Sequence, residues 1–258
     1  MKMKVKRLFN YKNTQFDDEL KNVPHNFAVK HDEEAKTSEL TIYGVIGESW
    51  WNEKWTSAMD VDNALKEAGT NNLVIRLNSP GGSAFDGIAI YNRLVNYKKE
   101  TGAKITIHVD GWACSAASVI AMAADELIMG LGAMVMIHEA SNGVWGSKGD
   151  FRSEADLLEE LEEGIIDIYM TKATVDRIEI RKKVDAETWF SASKAIEIGF
   201  ATSAASSTVE GNKDEEIANL KNQMHDMKKQ IDNLTNKQKQ EPTPEPVLPT
   251  NKRKGFLF

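Results

Sequence analysis

The sequence predicts an α/β fold built on a largely parallel, buried sheet. Short apolar runs recur, each cut off by a glycine turn, and segments with three- and four-residue apolar spacing lie between them. A stretch of small apolar residues from Ser115 to Ala124 suits a helix buried against such a sheet.

The elements follow in order. Leu40 to Ile46 alternates like a strand and ends at Gly47. Val61 to Ala68 has helical spacing and ends at Gly69. Leu73 to Leu77 reads as a buried strand, broken sharply by Asn78-Ser79-Pro80-Gly81-Gly82. Asp86 to Lys99 places Ile88, Tyr91, Leu94 and Val95 on one helix face, and Ile105 to Val109 is the next strand, stopped by Gly111. After the small-residue helix, Leu127 to Met129 and Met134 to Ile137 are short strands. Ser153 to Val184 is one long helical pattern with a possible break at Gly164, and Ser191 to Ile198 is a final short helix closed by Gly199. Helices between successive strands imply crossover connections.

Three zones divide the 258 residues: a domain over 1–206, a helical segment over 207–240 and a tail over 241–258. In the second, Ile217, Leu220, Met224, Met227, Ile231 and Leu234 are spaced 3, 4, 3, 4, 3, a coiled-coil seam short of three full heptads. The alternative is an amphipathic helix lying on its own domain. In the third, Pro242, Pro244, Pro246 and Pro249 favour an extended linker before the ending KRKGFLF, whose basic and large apolar residues suit docking into a groove on a partner.

Composition narrows the function. The formal net charge of −7 argues against a nucleic-acid partner, which calls for a strongly basic face. A single cysteine, Cys114, excludes an internal disulfide and fits a reducing compartment. Met1 to Asn10 is basic but lacks the apolar core of a signal peptide, and the Ala116 to Ala124 run is too short to span a bilayer. The expected location is the cytoplasm, with no membrane partner. The sequence has no metal-ligand cluster, phosphate loop or dinucleotide fingerprint, so no metal or organic cofactor is expected.

Four segments carry chemistry. NSPGG (78–82) follows a strand, and its paired glycines let backbone N–H groups approach a ligand; the same pattern also makes an ordinary tight turn. GWACSAAS (111–118) puts Ser115 where a helix begins, as a cap or as a nucleophile beside unpaired N–H groups. MVMIH (134–138) ends a strand in His138, whose weight comes from the serine and glycine turn that accompany it. ETWFSA (187–192) offers Glu187 either as a helix-capping carboxylate or as the acid that orients an imidazole. His25, His31, His108 and His225 lie in less suitable settings.

Taken together, NSPGG, GWACSAAS, MVMIH and ETWFSASKAIEIGFA resemble, in order and spacing, the ClpP family of serine peptidases with its crotonase-like fold. The likeness covers Leu40 to Thr202 and is nearest to the ClpP-related head-maturation proteases of tailed phages, which YGVIGESWW also resembles. It implies Ser115 as nucleophile, His138 as general base, and the backbone N–H groups of Gly81 and Ala116 as oxyanion-hole donors. The family's usual aspartate falls on Glu187, with Asp185 as the alternative third member. Ser118 and Cys114 are assigned to packing, and the Ser153 to Val184 pattern resembles the helix by which ClpP rings stack.

The resemblance implies a ring-forming homo-oligomer that cleaves capsid and scaffold proteins inside an assembling prohead. Two other functions stay open: a scaffold or assembly protein whose peptidase site has degenerated, and a general Clp-type peptidase subunit fed by an unfolding ATPase. A Ser–Lys peptidase is disfavoured, because the base position holds His138.

Overall fold

A computed structural model describes residues 23–48 and 54–205. The coiled-coil segment and the proline-rich tail expected over 207–258 lie outside the described residues, so nothing below bears on them.

The elements run β1 (Asn26–Asp32), β2 (Thr37–Tyr43), α1 (Ala58–Ala68), β3 (Asn72–Ser79), α2 (Ala84–Thr101), β4 (Ile105–Cys114) and α3 (Ala116–Ala121). They continue with β5 (Glu126–Met129), β6 (Met134–Ile137), α4 (Lys148–Met170), α5 (Arg177–Asp185), β7 (Thr188–Ser191), α6 (Ala192–Glu197) and β8 (Ser203–Ala204). The sheet order is β1-β2-β3-β4-β5-β8, with β6 pairing both β4 and β7. The expected parallel character holds from β2 to β8, and β4–β6 is parallel too; only β1–β2 and β6–β7 are antiparallel.

Period-two alternation decides which face of the sheet is covered. Leu40, Ile42, Leu73, Ile75, Leu77, Ile105, Ile107 and Val109 are all but sealed from solvent, and Leu65, Ile90, Leu94, Val119 and Ile120 from the helices belong to the same core. The helices begin at short polar caps. Ser57 and Asp60 form a capping box on α1, and Ser83 Oγ accepts the Asp86 N–H on α2. Alpha-3 sits unusually close to α2: a Cβ at Gly87 would come within 2.9 Å of Ala116 Cβ, so only glycine permits that approach.

Several elements differ from the sequence expectation, among them β2, which runs Thr37–Tyr43 and stops short of Ile46, and the two-residue β8. Strand β1 pairs antiparallel along the whole of β2; lying at the sheet edge, it is mostly exposed and shows too weak an apolar signal to stand out. Strand β7, four residues long, was also missed. Strand β4 does not stop at Gly111 but continues to Cys114. The long helical pattern is two helices, and the break falls at 171–176 rather than at Gly164, which lies inside α4. The break has its own cause: Asp176 accepts the Glu179 N–H as the α5 cap, and the Thr174 N–H leaves helical pairing for the Ile198 carbonyl.

Ile107 is fully buried at the centre of β4. Ile107→Ala is expected to cost about 2–5 kcal/mol, read as a lower urea midpoint with an unchanged m-value.

Candidate active site

The site is built by β4 changing partners. Up to Val109 this strand pairs with β3 and β5; beyond Gly111, Trp112, Ala113 and Cys114 pair with Met134, Val135 and Met136 of β6. The β3–β4 register shifts between Leu77 and Ser79, and Asn78 Oδ1 accepts the Trp112 N–H at 3.2 Å, which stitches the irregular stretch together. A side chain at Gly111 would collide with Asn78 Oδ1 at 2.7 Å.

Consequently, Ser115, His138 and Glu187 sit at the ends of three neighbouring strands. Ser115 follows Cys114, which is paired with Met136, and its own N–H donates to the Met136 carbonyl at 2.9 Å. His138 follows Ile137, which pairs with Thr188, and Glu187 precedes Thr188. Adjacent strands lie about 4.8 Å apart, so the three residues fall in a row across the same edge.

Ser115 adopts φ 53° and ψ −124°, a left-handed conformation costly for a side-chain-bearing residue, at the sharp turn from β4 into α3. It is half-buried, whereas Cys114 before it and Ala116 after it are buried. The NSPGG turn lies directly against it: a Cβ on Gly81, itself at φ 94°, would stand 2.7 Å from Ser115 Cβ and 3.0 Å from the Ala116 nitrogen. The turn is held from its other side, where the Gly81 carbonyl accepts the Ile46 N–H at 2.9 Å.

The two expected oxyanion donors differ. The Ala116 N–H opens α3 and has no carbonyl a turn earlier to donate to. The Gly81 N–H instead donates to Ser79 Oγ at 3.0 Å, so it must leave that hydroxyl before it can serve an oxyanion. Ser79, fully buried, is a contact the sequence reading passed over, although it stands within the quoted motif.

Burial depresses the His138 pKa below the ordinary imidazole value, and the negative charge of Glu187 opposes that shift. The ring is therefore neutral at neutral pH, the state a general base needs. The Glu187 carboxylate accepts the Trp189 indole N–H at 3.4 Å, and its charge also reaches Cys114. Asp185 is placed differently: it ends α5, is exposed, and pairs with Arg181 at 3.6 Å. Cys114 is sealed from solvent, and burial, aided by Glu187, pushes its thiol up to about 12, so it stays protonated. Ser118 is fully buried with its hydroxyl bonded to the Ser115 carbonyl and to Tyr169.

The Clp protease family model matches residues 52–208. This chain belongs to the Clp protease family. Among Clp relatives, the ATP-dependent Clp protease proteolytic subunit 1 of Chlamydia muridarum is 31% identical over 131 residues, 49% of this chain and 66% of that protein. The proteolytic subunit 3 of Rhodococcus jostii is 27% identical over 165 residues, covering 58% of this chain and 80% of its own length. The chain thus spans just under two thirds of the Chlamydia relative. A solved ClpP1 mutant from Listeria monocytogenes superposes with a TM-score of 0.53 at 22% identity, over 68% of this chain and 92% of that one, and shows the shared Clp fold.

The imidazole of His138 is expected to titrate below 6.5, and Glu187→Gln to lower it further by removing the opposing charge. An NMR titration of the His138 ring resonances checks both. Because the unfolded chain takes up the proton first, stability attributable to this group is complete above pH 6.5 and declines as the pH falls from there toward the folded pKa.

Proposed function

We propose that this chain is a serine endopeptidase in which Ser115 attacks, His138 acts as base and Glu187 orients the ring. The observation that carries the reading is the strand register, which sets these three residues side by side at the ends of β4, β6 and β7. Ser115 Oγ adds to the scissile carbonyl carbon as its proton passes to His138. The developing oxyanion meets the Ala116 N–H and, once freed from Ser79, that of Gly81. The tetrahedral intermediate then expels the amine, which takes the proton from His138, and water resolves the acyl-enzyme by the same path. Glu187 substitutes for the shorter acid of a Ser-His-Asp triad; its backbone is left-handed, φ 46°, in the residue just before β7.

The substrate reading rests on the motifs. Their likeness to phage head-maturation proteases supports capsid and scaffold proteins as substrates, a homo-oligomeric ring as the working form, and an assembling prohead in the host cytoplasm as the place of action. A second reading is favoured by the printed names of the relatives, which are ATP-dependent Clp proteolytic subunits. In that case cleavage of a folded substrate requires an unfolding ATPase.

Two experiments test these readings. Ser115→Ala is expected to lower peptide hydrolysis by roughly 10⁶-fold, and Glu187→Ala by roughly 10⁴-fold, the scale seen when triad members are removed elsewhere. Co-expression with capsid precursor, read by mass spectrometry, is expected to give processed capsid with wild type and none with Ser115→Ala, in the absence of any ATPase. Unprocessed capsid with the wild-type chain refutes the prohead assignment; hydrolysis unaffected by Ser115→Ala refutes the peptidase reading itself.

A further inference from the structure

We infer that Ser118 and Tyr169 form a positioning pair that aims the Ala116 N–H at the oxyanion. The inference rests on the reading of Ser115 as nucleophile. Its basis is the peptide unit linking Ser115 to Ala116: the Ser115 carbonyl and the Ala116 N–H are the two ends of one planar trans amide and point in opposite directions. Whatever fixes the carbonyl therefore fixes the N–H.

That carbonyl is gripped on the side away from the proposed oxyanion position. Ser118 Oγ donates to it at 2.6 Å, beside the Ser118 N–H at 2.9 Å and the Val119 N–H at 3.3 Å. With its own proton committed to the carbonyl, Ser118 Oγ accepts the Tyr169 O–H at 2.8 Å. Tyr169 comes from α4, where its ring is buried and packs on Phe200 at 5.4 Å, which in turn meets Phe190 of β7 edge-on at 5.6 Å. The chain of contacts thus anchors the peptide to the aromatic core behind β7, the strand that Glu187 precedes.

Such an anchor answers a need visible at the site. Ser115 holds a left-handed backbone that persists only where surrounding contacts over-determine it. Donation to the carbonyl also polarises the amide, which strengthens its N–H as a donor. The anchor matters the more because the second donor, the Gly81 N–H, is engaged by Ser79, leaving the Ala116 N–H as the one already free to receive charge.

Two other features were weaker. A cavity of about 450 Å³ between α4, α5 and the Glu139–Ala140 segment is lined with carboxylates, but Arg181 already pairs with Glu162, Glu163 and Asp185. The half-buried Lys172 is explained by its bond to the Ala124 carbonyl, which caps the end of the α3 region.

The test measures fluorophosphonate labelling of the full chain, mapped by mass spectrometry, with peptide kinetics and thermal unfolding alongside. Ser118→Ala and Tyr169→Phe are each expected to slow labelling of Ser115 and lower kcat about 10- to 100-fold with KM unchanged, less than or comparable to losing an oxyanion donor outright. The double variant is decisive, because removing both hydroxyls leaves no buried polar group without a partner. Its melting temperature is expected to return toward wild type while labelling stays slow. Labelling that recovers together with stability shows a purely structural pair and overturns the inference, as does wild-type labelling by both single variants. If the wild-type chain itself fails to label at Ser115, the peptidase reading falls and takes this inference with it; the other outcomes leave that reading standing.

Discussion

The parallel pairing of the last residues of β4 with β6 is the constraint on which the site depends. Beta-4 reaches Gly111 as a central strand of the sheet, with its apolar side chains sealed under the helices. Beyond that glycine it swings from β5 to β6, and the Ser115 N–H closes on the Met136 carbonyl. Each ladder bond contributes only about 1 kcal/mol, but register in a sheet with one buried face is strongly specified, because a one-residue slip turns every side chain over. The separation of Ser115 from His138 is thus set by the whole sheet rather than by local contacts. Antiparallel β7 extends the same logic to Glu187.

A second layer of the fold supplies the left-handed turn. The NSPGG segment packs on Ser115 so closely that glycine is required at 81, and α2, which begins right after it, packs on α3 at Gly87 and Ala116. The turn, Ser115 and the two helices therefore interlock. Strain at Ser115 is sustained by this packing, consistent with the general tendency of rare backbone conformations to survive only where neighbours enforce them.

How much of this was legible in the sequence depended on whether the signal was local. The core strands and α2 were readable because their periodicity is carried by consecutive residues, and NSPGG because glycine and proline announce a turn. The path of β4 was not, because Gly111 reads as a stop; it takes the tertiary partner β6 to draw the strand onward. The break between α4 and α5 was misplaced for a related reason. Gly164 is the weak helix former in the pattern, but Thr171, Thr174, Val175 and the cap at Asp176 mark the true boundary, and they do so through a contact with Ile198 more than twenty residues away. The Ser118–Tyr169 bond spans 51 positions and had no signal in the sequence at all. The sequence leaves both Glu187 and Asp185 as candidates; in the structure the Glu187 charge bears on the His138 ring, while Asp185 pairs with Arg181.

Three potential nucleophiles stand within five residues, and their surroundings sort them. Cys114 is intrinsically the most reactive of the three, since a thiol ionises more readily than an alcohol. Here it points into the core, where burial and the nearby Glu187 charge hold the proton on sulfur. Ser118 faces the core one helical turn on, with its proton given to a carbonyl and its lone pair to Tyr169. Only Ser115, turned out of regular geometry at the strand end, is half-exposed, at the same sheet edge as His138. Under the proposed reading, alternation along β4 accounts for the choice: a residue that continued the strand's buried face could not meet a substrate, whereas one where the strand gives way to the helix can. In that reading the left-handed turn at Ser115 is the means by which a residue flanked by core positions on both sides is presented to substrate.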